Sequence, residues 1–297
     1  MAAVFKERDK MEKTFKEALE AVKSGKDVIL ASVIAASGST PRGEGAKMLV
    51  YPDGSTKGTI GGEGIARGLV EAGAVAVVSS RNQADCDKAA AGITEVTGGQ
   101  CYGISADIST KEGVDALVNK VIEKLGHIDI LVNSAGVNIR KPAVEYTVED
   151  WDTVQNVQLK GVFLACQAVG KHMIDNGIKG KIINISSINA RVVARPNIVS
   201  YVAAKGAVMQ MTKALAVEWA QYGITVNAVA PGFFETAMTK VLFEDPATRE
   251  EMFRHIPVKR FGNADTDLAG MVVYFASDAS NYTTGQIIYI DGGYTSI

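Results

Sequence analysis

Residues 181–187, KIINISS, are followed by SYVAAKGAVMQMTKALAVEW at 200–219, and these two stretches decide the fold. KIINISS is an apolar run of the kind that forms a buried strand, whereas residues 198–222 have the period of a helix. The next apolar run, ITVNAVA at 224–230, predicts another strand. A strand, a helix and a strand in this order predict one unit of a parallel sheet, because the helix carries the chain back along the sheet.

The same alternation extends through the chain from residue 65 onward. The other predicted strands are AVAVVSS, CYGISA, IDILVNS and QIIYID, with helices ending near 98 and 125 and a long helix starting near 148. This pattern predicts an α/β fold, a doubly wound parallel sheet of the Rossmann-like type with helices on both faces. In the long helix, the side chains expected in the core are Trp151, Val154, Val157, Val162, Phe163 and Cys166.

The first part of the chain has a different pattern. Residues 5–24 carry an apolar helical stripe, and VILASVIAA follows as an apolar strand. The alternation then breaks until residue 62. We therefore predict an atypical N-terminal segment at 1–62 and one large domain at 63–297.

The bulk composition excludes several classes of protein. The 297 residues carry a net charge of −2, with charges of both signs interspersed, so nothing favours a nucleic-acid partner. No apolar run approaches the roughly 18–20 residues that cross a bilayer, and the charged start lacks the apolar stretch of a signal peptide. We expect a soluble, cytoplasmic protein without a membrane partner, acting on a small molecule.

The cysteines and histidines are spaced unlike metal ligands. They are Cys86, Cys101, Cys166, His127, His172 and His255. Three separated cysteines form neither a disulfide framework nor a zinc pattern, so buried free thiols are expected. We predict no catalytic metal.

Tyr201, Lys205 and Ser187 form the strongest candidate for a catalytic group. Tyr201 and Lys205 are four residues apart on a predicted helix and share a face, so the ammonium can favour the ionised phenol. Lowering the tyrosine pKa by about 3 units requires roughly 4 kcal/mol. The alternative for the bare pair is a solvated lysine one turn from a packed tyrosine.

The context of these residues resembles the short-chain dehydrogenase/reductase family. ILVNSAG (130–136), GKIINISS (180–187), ITVNAVAPGFFET (224–236) and TTGQIIYIDGG (283–293) occur in the family's order, from about Gly62 to the end. The resemblance implies hydride transfer between a nicotinamide cofactor and carbon, and a homotetramer or dimer. It also implies roles for three residues: Ser187 binds the substrate oxygen, Tyr201 transfers the proton, and Lys205 lowers the tyrosine pKa and holds the ribose.

The chain departs from the family pattern at two of these motifs. Gln158 stands where the family has an asparagine, as its fourth catalytic residue, in a V-N-L-K-G context. The added methylene would shift a water relay to Lys205 by about an ångström, so we expect attenuated catalysis. The family's NNAG reads Asn133, Ser134, Ala135 and Gly136 here, and the last two still let the backbone lie against the cofactor.

Other positions matched to the family concern the cofactor. Asp107 resembles the aspartate that binds the adenine amine. After AVAVV, an NAD site has a carboxylate, whereas this chain has Ser80 and Arg81, and an arginine can bind a 2′-phosphate. We therefore expect NADP, with NAD possible. The loop that holds the nicotinamide carboxamide corresponds to Pro231, Gly232 and Thr236.

The phosphate-binding loop is irregular. Gly58, Gly62 and Gly64 fit G-x-x-x-G-x-G, but counting back from EAGA places the family's third glycine at Gly62. YPDG then falls where the first strand should be, and a proline with a DG turn does not form a central strand. We hypothesise that KMLVY or VILASVIAA supplies that strand and that the loop is weakened.

Two further resemblances concern the function. GSTPRGEGAKMLV, the DGS turn and GTIGG resemble the N-terminal module of xanthine dehydrogenase accessory proteins over residues 13–62, but the rest of that family's chain is absent. GVNIRKPAVEYTVEDWD and PGFFETAMT resemble the gluconate 5-dehydrogenases and 2-deoxy-gluconate 3-dehydrogenases. Arg140 could then receive a sugar-acid carboxylate, or it could be a rim residue.

Three functions follow from these features. The leading hypothesis is an NADP-dependent oxidoreductase acting on a secondary alcohol or ketone of a polyol or sugar acid. The main alternative is a catalytically impaired protein of the same fold that serves in binding or assembly, which Gln158 and the irregular glycine loop favour. A module that handles the molybdenum cofactor is the third, and it depends on the N-terminal resemblance alone.

Overall fold

Seven parallel strands form one sheet in the part of the chain that the structure, a computed structural model, describes. The described residues are 28–32, 62–234 and 246–297, with the backbone alone at 28–32 and 246–248. The strands are β1 (Val28–Ser32), β2 (Val75–Val78), β3 (Cys101–Gly103), β4 (Ile130–Asn133), β5 (Lys181–Ile185), β6 (Thr225–Pro231) and β7 (Ile287–Ile290). Their spatial order is β3-β2-β1-β4-β5-β6-β7.

Strand β1 lies in the interior of the sheet, between β2 and β4. Leu30 lies opposite Val77 of β2 on one side and opposite Leu131 of β4 on the other. The hypothesis that VILASVIAA supplies the first strand is therefore confirmed. Its alternative, KMLVY at 47–51, lies outside the described residues. Five residues of the predicted N-terminal segment thus belong to the same sheet as the later strands, and the boundary at residue 62 stays a prediction.

Helices connect the strands and cover both faces of the sheet. They are α1 (Gly62–Glu71), α2 (Gln83–Thr97), α3 (Lys111–Leu125), α4 (Val148–Gln155), α5 (Val162–Asp175), α6 (Val199–Trp219), α7 (Pro246–Arg254) and α8 (Ala269–Ala276). A π-helical turn, Asn156–Gly161, joins α4 to α5, so the helix expected from 148 is present with one wide turn in it. The predicted helix at 5–24 lies outside the described residues.

The core has two halves, one on each face of the sheet. On one face, Leu131 and Val121 pack with Trp219 of α6. On the other face, Val132 packs with Leu69 of α1 and with α8. Each fully buried side chain of this size contributes about 1.5–3 kcal/mol. Successive residues of β4 thus face opposite layers, which confirms the doubly wound architecture.

The long helix is buried on one side only. The core prediction was right for Val154, Val162 and Cys166, and Val157 is partly buried. It was wrong for Trp151 and Phe163, which are 40% and 41% exposed. Trp151 lies on α4 and Phe163 on α5, on either side of the π-helical turn, and the apolar pattern did not show that both positions are partly exposed.

The cysteines and the helix compositions were also predicted from the sequence. The three cysteines are free and buried, as expected. None of the helices in the described ranges combines the length and apolar composition that a bilayer crossing requires.

Candidate active site

The predicted catalytic residues meet where β5 ends and α6 begins. Ser187 follows β5 and starts a short 3-10 turn, Ile188–Ala190, while Tyr201 and Lys205 lie in the first two turns of α6. The Ser187 hydroxyl lies close enough to Tyr201 to lower the pKa of the phenol by hydrogen bonding. The Nζ atom of Lys205 is 5.7 Å from the centroid of the Tyr201 ring. The structure therefore brings the three residues together.

Burial dominates the electrostatics of this group. Lys205 is 4% exposed, and its Nζ donates to the Ile185 carbonyl at 2.7 Å. Desolvation lowers the pKa of Lys205 to about 7. Desolvation also raises the pKa of Tyr201, and the hydrogen bond from Ser187 and the charge of Arg140 offset this only in part. The direction is opposite to the one expected from the Tyr201–Lys205 pair, because burial disfavours the phenolate more than its neighbours favour it.

The two adjacent serines have different partners. Ser186 Oγ donates to the Lys205 carbonyl at 3.2 Å and so ties α6 to the end of β5. Ser187 Oγ accepts from the backbone N–H and the Nδ2 atom of Asn189, at 3.1 and 3.2 Å. The sequence reasoning missed Asn189, although an asparagine two residues beyond a serine is a common turn partner. Asn189 orients the hydroxyl that meets Tyr201.

Gln158 lies on the π-helical turn and is fully buried. Its Nε2 donates to the Val137 carbonyl at 2.6 Å. Its Oε1 is buried without a hydrogen bond in the described structure. A Cβ on Gly136 would be 3.6 Å from Nε2, so the side chain lies against the loop that follows β4. The amide is therefore used to hold this loop.

Asn133 belongs to a buried polar chain at the end of β4. Its Nδ2 donates to Asn184 Oδ1 at 2.9 Å, and Asn184 Nδ2 donates to Thr212 Oγ1 at 2.9 Å. Asn133 Oδ1 is buried and has no partner among the described residues. Ala135 is buried, and Gly136 is partly buried. The chain of amides links β4, β5 and α6, and sequence reasoning identified only its first member.

Arg81 and Asp107 lie near each other beyond the carboxyl ends of β2 and β3. The pKa of Asp107 is lowered, chiefly by the hydrogen bond from Ser109 Oγ at 2.7 Å and also by the charge of Arg81. Ser80 Oγ is 3.2 Å from Cys86 Sγ. Arg81 and Asp107 thus lie on the same side of the sheet, at the carboxyl ends of its strands.

The start of α1 is the predicted phosphate site. The helix begins at Gly62. Gly64 is packed so tightly that a Cβ there would overlap the Asp265 carboxylate, and Asp265 is paired with Arg67. Burial is the largest cause that raises the pKa of Glu63, and the charge of Asp265 adds to it. Gly64 therefore serves packing against Asp265, and Gly58 lies outside the described residues.

The remaining predicted positions follow β6 and β4 in the chain. Pro231 ends β6, and a Cβ on Gly232 would be 2.8 Å from Asp291 Cα, so this close approach requires glycine. Thr236 lies outside the described residues. Arg140 is exposed on the loop after β4, near enough to lower the pKa of Tyr201.

Comparison with known proteins identifies the family. Residues 58–295 match the family described as enoyl-(acyl carrier protein) reductase, and residues 21–84 match the XdhC and CoxI family. The chain is 37% identical over 251 residues to gluconate 5-dehydrogenase of Gluconobacter oxydans (strain 621H), covering 84% of this chain and 95% of that protein. It is 38% identical over 242 residues to 2-dehydro-3-deoxy-D-gluconate 5-dehydrogenase of Escherichia coli (strain K12), covering 78% and 90%.

A solved structure of a similar dehydrogenase also resembles this chain. A gluconate 5-dehydrogenase from Burkholderia cenocepacia J2315, in complex with NADP and tartrate, has a TM-score of 0.77 and 36% identity, covering 91% of this chain and 96% of that chain. The protein therefore belongs to the short-chain dehydrogenase/reductase family and is an oxidoreductase. The alternative of an impaired, non-catalytic protein is not favoured.

Proposed function

We propose that the protein transfers hydride between NADP(H) and a secondary alcohol or ketone of a sugar acid or polyol. The observation that carries this proposal is the meeting of Ser187, Tyr201 and Lys205 at the carboxyl ends of the strands. The names of the relatives, which include gluconate and 2-dehydro-3-deoxy-gluconate dehydrogenases, favour a sugar acid.

The residues at the carboxyl ends of these strands fit a dinucleotide. The strand order reverses between β1 and β4, and ligands of such sheets bind at that point. The buried Oδ1 of Asn133 has no hydrogen-bond partner among the described residues, so it can accept a hydrogen bond from a ligand at the carboxyl end of β4. Arg81 would hold a 2′-phosphate and Asp107 the adenine amine. The other residues that would hold the cofactor are Gly62, Gly136, Tyr201, Lys205, Pro231 and Gly232.

When bound, the nicotinamide ring accepts or supplies the hydride. The protein's own residues handle the proton. Ser187 Oγ donates a hydrogen bond to the substrate oxygen, and Tyr201 exchanges the proton with that oxygen. Because its pKa is raised, Tyr201 holds its proton at neutral pH and is suited to act as the acid in ketone reduction. Alcohol oxidation requires the phenolate, which the positive charge of Arg140 stabilises.

We also propose a homo-oligomer, a tetramer or a dimer. Trp151 and Phe163 present large apolar surfaces on the outer face of α4 and α5. Strand β7 is at the edge of the sheet with all four residues partly exposed. Exposed apolar side chains and an open strand edge favour contact with another copy. A cytoplasmic location stays a prediction.

A fluorescence titration with NADPH, and with NADH in parallel, tests the proposed function first. We expect NADPH to bind more tightly and gluconate to be oxidised with NADP. Absence of binding by both nucleotides would overturn the oxidoreductase proposal and leave the N-terminal resemblance to XdhC and CoxI proteins as the guide to function.

A further inference from the structure

Two arginines lie on neighbouring loops close to the catalytic group. Arg140 and Arg195 are on separate loops, which are joined where the Lys141 N–H donates to the Asn197 carbonyl at 3.1 Å. Burial lowers the pKa of Arg195 and the charge of Arg140 lowers it further, while Tyr294 and Glu251 offset this in part. The charge of Arg140 also reaches Tyr201, whose pKa it lowers. The two guanidinium groups therefore share one electrostatic neighbourhood with the catalytic phenol.

Glu251 is the carboxylate whose charge acts on Arg195, but it forms no ion pair with it in the described structure. Within the described residues, neither arginine forms an ion pair. The Nη2 atom of Arg195 donates to the Met252 thioether at 3.0 Å, and its guanidinium lies 5.8 Å from the Phe233 ring centroid. A thioether is a weak acceptor and an aromatic face is a weak counter-charge. Buried arginines in proteins are normally paired with an anion, and an anionic ligand would give the partly buried Arg195 such a partner.

We propose that Arg195, together with Arg140, binds the carboxylate of the substrate and makes the enzyme selective for acids over neutral polyols. This inference rests on the proposed function. Guanidinium groups bind carboxylates through two parallel hydrogen bonds, and a lysine provides the charge without that fork. An anion at this point offsets the repulsion between the arginines and holds the substrate against Ser187 and Tyr201. Arg195 is thus a specificity-determining residue that the sequence reasoning did not identify.

The same loop offers a matched control. Arg191 lies four residues before Arg195 and is exposed, with its guanidinium 5.5 Å from the centroid of the Tyr289 ring. Replacing Arg191 removes the same charge from the same loop but leaves the Arg140–Arg195 pair intact. Arg191→Ala therefore separates a general loss of positive charge from a loss of this binding group.

The test compares two substrates that differ only at one end. Gluconate carries a carboxylate where sorbitol carries a hydroxymethyl group. We expect the wild type to prefer gluconate, and Arg195→Ala to raise KM for gluconate about 10- to 100-fold with little change in kcat. The kcat/KM for sorbitol should change less than about twofold. Arg195→Lys should recover part of the loss, and Arg191→Ala should behave as the wild type.

A second measurement, the shift in Tm when a ligand binds, does not depend on catalysis. Gluconate should raise the Tm of the wild type and of Arg191→Ala, and it should raise the Tm of Arg195→Ala much less, whereas sorbitol should not distinguish the variants. Equal losses on both substrates, or a gluconate-dependent Tm shift that survives Arg195→Ala, would overturn the inference. A wild type that binds NADPH and oxidises sorbitol as well as gluconate would also overturn it while leaving the proposed function in place. A wild type that binds neither nicotinamide nucleotide would instead defeat the proposed function.

Discussion

The two ends of the candidate site are built in different ways. At the catalytic end, Ser187, Tyr201 and Lys205 come from one short stretch, the end of β5 and the start of α6. At the phosphate end, β1 ends at Ser32 while α1 begins at Gly62, so the helix does not follow its strand directly. A local motif specifies the first arrangement, whereas the second depends on pairing between distant segments. We therefore expect the catalytic end to be robust and the phosphate end to be the weaker half.

Removing the phenolic oxygen is the sharpest test of the catalytic end. Tyr201→Phe should lower kcat by about 10²- to 10⁴-fold, because it deletes the group that moves the proton. Binding of NADPH, followed by fluorescence, should change little. Tyr222→Phe, on an exposed tyrosine just beyond α6, is the matched control and should retain full activity. More than a few per cent of activity in Tyr201→Phe would remove this residue from the mechanism.

Two proline substitutions test the phosphate end through strand β1. Leu30→Pro removes a ladder hydrogen bond between β1 and its neighbours, and proline is not accommodated in central strands. We expect the Tm to fall by about 5 °C or more, or folding to fail. Val50→Pro, in the rival segment 47–51, should cost less. A larger loss for Val50→Pro would contradict the assignment of β1.

Cofactor preference is expected to depend on Arg81. Arg81→Ala should weaken NADPH binding by roughly 1.5–3 kcal/mol, the scale of a hydrogen bond to a charged group. Binding of NADH, which lacks the 2′-phosphate, should hardly change and is the internal control. Equal losses for both nucleotides in a fluorescence titration would refute the role of Arg81.

The buried lysine makes stability depend on pH. The pKa of Lys205 is about 7 in the folded protein, against about 10.4 for an exposed lysine. Between these values the unfolded chain holds a proton that the folded protein lacks, so stability rises with pH by up to about 1.4 kcal/mol per unit. We expect the Tm to rise from pH 7 to 9.

Two variants isolate the contribution of Lys205 to the pH dependence of stability. Lys205→Met should flatten the rise, whereas Lys171→Met, on an exposed lysine, should preserve it. Above about pH 9 the thiols of Cys101 and Cys166 act in the opposite direction, since burial raises the pKa of each to about 12 and only the unfolded chain then ionises them. A Tm that falls steadily from pH 7 to 9 would contradict the burial of an ionisable Lys205.

The smallest expected effect concerns the departure at Gln158. Gln158→Asn should raise kcat a few-fold if the added methylene displaces a water relay to Lys205. The shorter side chain would also lose its bond to the Val137 carbonyl, which is 2.6 Å long in the present structure. Gln221→Asn, on an exposed glutamine, is the control. An unchanged or lower kcat would mean that the site has adapted to glutamine.

Sequence reasoning succeeded where a residue and its neighbours in the chain carry the information. The strand KIINISS, the helix that follows it and the pairing of Tyr201 with Lys205 on one helix face were all predictable from period and spacing. It failed for Trp151 and Phe163, because an apolar pattern does not say which side of a helix meets the sheet. It did not single out Arg195, for which we propose a binding role, since nothing in its own segment shows that the charge of Arg140 acts on it.

The sequence by itself determined the fold class, because strand and helix periods act over a few residues, and its motifs indicated the family and the three proposed catalytic residues. Only the tertiary structure decided that Val28–Ser32 lies between β2 and β4, that Gly64 packs against Asp265, and that burial raises the pKa of Tyr201. Strand order, close packing and desolvation depend on which distant segments come together. These quantities are set by the whole fold, so no local pattern contains them.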